Sequence, residues 1–172
     1  MKLIDEFEVS KYTMIILPEM MDGNQYSRVI ETDGEYVVKM KPIEVVERSC
    51  RYFGSSFKGR KEGTWELMRI THKAPIVVDP SNVIYLFPTT SPTREQCVWI
   101  SHAHVLNHES TEHDKTIITL SNKETIHLAM SEGSFGNQLY RTAQLRTLIS
   151  QRIENQERKM EFFVSPKKPI KG

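Results

Sequence analysis

The sequence predicts an α+β domain, a mainly antiparallel β-sheet with a short helix near 42–53 and a longer C-terminal helix near 134–155. Three observations predict it. Short β-rich runs punctuated by Gly, Asn, Asp and Pro fill the first forty residues and the middle of the chain. Apolar residues at helical spacing follow Pro42, and the same spacing returns after Ser134 for the longest such stretch.

In order, Tyr12 to Pro18 and Tyr26 to Glu31 are β-rich runs separated by Asp22, Gly23 and Asn24, which predicts a hairpin. Asp33-Gly34 then precedes EYVVKM, a two-residue loop signal that returns the chain into a third strand. From Pro42, Ile43, Val46, Cys50 and Phe53 recur on one helical face, with proline in the first turn and Gly54 just past the end. GSSFKGRKEGT, residues 54–64, reads as a glycine-rich loop with a narrow basic tip. Trp65 to Ile70, Ile76 to Val78 and Val83 to Phe87 read as strands, and PTTSPTREQ, 88–96, as a proline-bounded loop carrying Arg94. Cys97 to Leu106, Thr116 to Leu120 and Thr125 to Met130 continue the strands. Beyond Ser134, Phe135, Leu139, Leu145, Ile149 and Ile153 fall near one helical face. Residues 1–160 are expected to form one domain, and 161–172 a flexible basic tail.

A chain of 172 residues with 38% hydrophobic and 26% charged residues has the composition of a single folded domain. Met1 to Tyr12 carries Asp5, Glu6 and Glu8 with no apolar run, so a cytoplasmic protein without a targeting leader is expected. Cys50 and Cys97 are then expected to be free thiols. The net charge of +1 conceals an asymmetry: residues 1–47 and 74–133 carry −5 and −4, whereas 48–73 and 141–172 carry +5 each. Basic blocks on an acidic body suit a polyanion, because local potential and not net charge attracts it.

The same residues suit other chemistries less well. The 54–61 loop lacks the Gly-Lys-Ser/Thr of a nucleotide-binding loop, since Arg60, Lys61 and Glu62 stand there. Cys97, His102, His104, His108 and His113 cluster within seventeen residues, and an extended Ser101–His104 would put two imidazoles on one face, but no C-x-x-C pair completes a zinc site. A Cys97–His pair carries no sign of an activated thiolate. Phe57, beside Lys58, is a candidate wedge or anchor, whereas Trp65 and Trp99 have core packing as their commoner fate.

The stretches KMKPIEVVERSCRYFGSSFKGRKEGT, ITHKAPIVVDPSN, LFPTTSPTREQCVWISHAHV and NQLYRTAQLRT resemble, in order and spacing, the ComK family of competence transcription factors from Gram-positive bacteria. The resemblance implies an activator and not an enzyme, with no small cofactor, that binds A/T-rich promoter boxes chiefly through the minor groove as cooperating homodimers. It also implies work with RNA polymerase, and regulated proteolysis through a MecA-type adaptor and a Clp protease. Charge and loop position give the expected contacts. Lys58, Arg60, Lys61 and Arg94 would enter or flank the groove, while Arg48, Arg51, Lys73, Arg141 and Arg146 would neutralise phosphates. Phe162-Phe-Val-Ser-Pro166 departs from the family pattern in its middle positions. The competing classes are a zinc-dependent or phosphate-handling enzyme and a non-activating interaction module or anti-activator of the same fold.

Overall fold

The computed structural model describes residues 1–164. Three strands, β1 (Lys2–Ile4), β2 (Thr13–Met21) and β3 (Asn24–Glu31), lead into β4 (Gly34–Val38), α1 (Pro42–Tyr52) and α2 (Phe57–Met68). They are followed by β5 (Ile76–Asp79), β6 (Ile84–Pro88), β7 (Trp99–Ser101), β8 (Val105–Ser110), β9 (Thr116–Leu120), β10 (Thr125–Leu128) and α3 (Glu132–Val164). The α+β class expected from the sequence is the one observed, with a second short helix added.

Seven strands form one sheet in the order β1-β4-β3-β2-β7-β6-β5, antiparallel except where β1 runs parallel to β4, and β10-β9-β8 form a smaller antiparallel sheet. The meander β2-β3-β4 arises from the turns the sequence marks: Asp22 and Gly23 take left-handed φ values of 53° and 77°, which match a tight hairpin between two twisted strands. The run Met14-Ile-Ile16 is apolar throughout because both faces of β2 are covered. Ile16 faces a core with Val29, Val46, Leu86 and Trp99, while Met14 and Ile15 face the other with Phe87, Ile100, Ile118 and Phe135.

Helices α1 and α2 cover the first face. In α1, Val45, Val46 and Cys50 are buried, and the Lys41 N–H donates to Glu44 Oε1 at 3.0 Å, closing the first turn. The small sheet and α3 cover the other face, where Phe135 meets Phe87 with ring centroids 5.7 Å apart and Leu145 packs on Val77 and Tyr85.

Three local expectations are corrected. The 54–64 segment is no loop: only Phe53–Ser56 turns, and α2 begins at Phe57. Trp65 to Ile70 is no strand, since α2 runs to Met68 and Arg69 closes it in a left-handed conformation. The single strand expected over Cys97 to Leu106 is broken, because the chain leaves the large sheet after Ser101, makes a 3-10 turn through His102–His104 and enters the small sheet as β8. Helix α3 also outruns its expected end, so Glu161 to Val164 are helical. The rest of the tail expected over 161–172 lies outside the described residues.

Candidate nucleic-acid interface

Helix α2 exists because tertiary contacts outweigh its glycines. Ser56 caps it, its Oγ accepting from the Gly59 N–H at 2.9 Å, and a Cβ at position 59 would lie 3.0 Å from that oxygen. Gly54, at φ 82°, turns the chain from α1 to α2 in a conformation that costs other residues strain. Phe57 meets Trp99 edge-on at 5.9 Å, and buried Thr64 donates to the Pro75 carbonyl at 2.6 Å. Phe57 is thus tied to the core instead of standing free as a wedge. Ser56→Ala is expected to lower unfolding free energy by about 1 kcal/mol in urea titration, and an unchanged midpoint would show that the cap is dispensable.

The fold separates the expected basic residues by role. Lys58 and Lys61 are exposed on α2 and, with Trp65, Ile70, Thr71 and Ala74, line a cleft of about 370 Å³. Arg94 is exposed on the 88–96 loop and shares a cleft of about 340 Å³ with Lys41, Gln25 and Ile43. Arg51 and Arg146 are also exposed, and Arg146 lies close enough to His102 to act on it.

Others are engaged internally. Arg48 pairs with Glu6 at 2.9 Å and Glu8 at 3.1 Å, so its charge is met by acids 42 and 40 positions upstream. Arg60 is half-buried with its Nε out of water and without a partner among the described residues. Its charge reaches Cys50 and Tyr85 beneath α2, so it does not stand on an exposed tip. Arg141 donates to the His72 carbonyl at 2.8 Å and to Gln138 Oε1 at 2.7 Å, and its burial lowers its pKa. Lys73 is half-buried at φ 49°, and there the engagement is of the backbone, whose carbonyl accepts from Gln138 Nε2 at 2.9 Å, and not of the ammonium. Two residues outside the expected set join the basic surface: Lys41, which with Lys39 falls inside the acidic 1–47 block, and Arg69, which the excess of positive charge over 48–73 could have flagged.

The histidine cluster is dispersed by the 3-10 turn. His104 Nε2 lies 2.7 Å from the Lys11 carbonyl and its Nδ1 2.9 Å from Ser121 Oγ, while burial, helped by Arg146, lowers the pKa of His102. No group of three or more His, Cys, Asp or Glu among the described residues is placed to hold a metal ion. Both cysteines are buried free thiols. Desolvation pushes Cys50 up to about 11, and burial also raises Cys97, the opposite of an activated nucleophile. At pH 8 neither thiol is expected to react with an aromatic disulfide reagent until denaturant is added, and rapid reaction of either in the native protein would contradict this packing.

The ComK protein family matches residues 4–154. A competence transcription factor of Bacillus subtilis (strain 168) is 51% identical over 165 residues, covering 95% of this chain and 86% of the relative. No solved structure matches. Similarity of this extent puts the chain in the class of competence transcription regulators. It belongs to the ComK family.

Proposed function

We propose that this regulator activates competence genes by binding A/T-rich promoter boxes, mainly through the minor groove, as cooperating dimers that work with RNA polymerase. The observation that carries the reading is the outer side of α2, where Lys58 and Lys61 are exposed at the start of a helix braced by the core, the Lys61 ammonium resting 4.8 Å from the centroid of the Phe57 ring. An α-helix is too wide for a minor groove of about 6 Å, whereas a single side chain reaching out from the exposed 93–96 end of the 88–96 loop is not. The roles divide accordingly: Arg94 enters the groove, where narrow A·T tracts concentrate negative potential, and Lys58, Lys61 and Arg51 hold phosphates. A two-fold dimer would place one such loop on each half-site. Among the described residues no helix is long and apolar enough to cross a membrane. Action of a MecA-type adaptor is part of the same proposal.

The test is a salt-titrated binding assay on A/T-box and G·C-rich duplexes, with a minor-groove competitor present. Binding should prefer the A/T box and yield to the competitor. Lys58→Ala with Lys61→Ala should reduce the slope of log K against log salt by about 2, one per lost phosphate contact. Equal weak binding to both duplexes, or an unchanged slope in the double variant, would overturn this interface.

A further inference from the structure

Helix α2 carries a side chain on its outer face that burial does not explain. Lys58, Lys61, Trp65 and Arg69 recur three or four positions apart and are all exposed. Trp65 is 44% exposed, while Trp99, the other tryptophan, is fully buried. Among the described residues Trp65 belongs to none of the hydrophobic clusters. Its ring is met from outside by Arg69, whose guanidinium carbon lies 4.9 Å from the ring centroid. Arg69 holds that position from a left-handed backbone at φ 58°, uncommon for a residue other than glycine. Beside the ring opens the cleft lined by Lys58, Lys61, Ile70 and Thr71. Two acids temper the row: Glu62 stands on the rim of the cleft, and Glu66 lies 3.9 Å from Arg69.

An aromatic face set in a row of cations is the arrangement that binds nucleic acid through phosphates and sugar or base surfaces together. From Lys58 to Arg69 the helix advances about 16 Å, enough for the two end cations to reach phosphates on opposite sides of a minor groove about 6 Å wide. The helix then bridges the groove mouth without entering it. We infer that Trp65, backed by Arg69, is a DNA-contacting residue whose indole rests on deoxyribose and base edges between the phosphates held by Lys58 and Arg69. This rests on the DNA-binding reading above and adds to it an apolar contact that charge counting does not reveal.

The two tryptophans make the test direct. In the full-length protein the exposed indole should be open to acrylamide quenching and the buried one shielded. Titration with A/T-box duplex should change the Trp65 emission and protect it from acrylamide, and Trp65→Phe should remove that response while retaining most of the affinity. Trp65→Ala should weaken binding about tenfold with the salt slope unchanged, because an uncharged contact releases no counterions. Native Trp99 emission reports that each variant is folded. If emission and acrylamide access stay constant through saturation while Lys58→Ala with Lys61→Ala still weakens binding, the DNA reading stands and the Trp65 contact is overturned. If neither the lysines nor Trp65 responds, the α2 face is not the DNA side and both fall.

Discussion

Trp99→Ala is expected to lower the unfolding free energy by about 3–5 kcal/mol, read from the urea midpoint at constant m-value. Trp99 lies on β7, which joins the β2 side of the sheet to β6 and β5, and its ring is the largest fully buried side chain. Its loss would open a cavity where Phe57, Cys50, Ile16 and Leu86 converge, removing the contact that seats the first turn of α2. The indole Nε1 is buried without a partner among the described residues, so Trp99→Phe, which keeps a ring and deletes the orphaned donor, should recover most of the loss. A cost below 1 kcal/mol for Trp99→Ala would mean that this core is not packed as described.

Gln138→Leu is expected to cost about 2–4 kcal/mol and to weaken DNA binding as well. From the buried face of α3, Gln138 Nε2 donates to the Lys73 carbonyl at 2.9 Å and to the Pro88 carbonyl at 2.8 Å, and Oε1 accepts from Arg141. One side chain therefore fixes the end of the 69–73 segment and the start of the 88–96 loop that carries Arg94. Leucine fills similar space but leaves both carbonyls without their donor. Urea unfolding and A/T-box affinity, measured on the same variant, separate the two consequences. A destabilised protein with undiminished affinity would show that the Arg94 loop is positioned by something other than this clamp.

What could be read from the sequence divides along the range of the interactions responsible. The β2-β3-β4 meander was legible because its turns lie at local signals, Asp22-Gly23 as expected and the second one residue earlier than expected, at Thr32-Asp33 with Gly34 already paired to Glu31 in β4, and α1 and α3 because Pro42 and the Phe135, Leu139, Leu145, Ile149 row announce them. Helix α2 was not. Gly59 and Gly63 argue against a helix, and the contacts that decide the matter, Phe57 with Trp99 and Thr64 with Pro75, are invisible to local pattern. The basic residues were legible as charges but not as free or engaged ones. Arg48 is met by Glu6 and Glu8, and Arg141 by a carbonyl 69 positions away, so neither partner could be seen beside it. Lys58, Lys61 and Arg94 kept their exposure because no acid or carbonyl from a distant element reaches their side chains in any described contact.

The pairing of β2 with β7 brings Ile15 beside Ile100, about 85 positions later in the chain. During synthesis the meander can close as soon as β4 emerges, but the outer edge of β2, with Met14 and Ile15 beside it, must wait for its neighbour. At about 5–20 residues per second that interval lasts several seconds. Throughout it, a nascent chain on the ribosome displays an apolar strand edge of the kind chaperones recognise and aggregates grow from. The yield of folded protein should therefore depend on translation speed through residues 40–100 more than through α3, whose contacts are made only after the large sheet is closed.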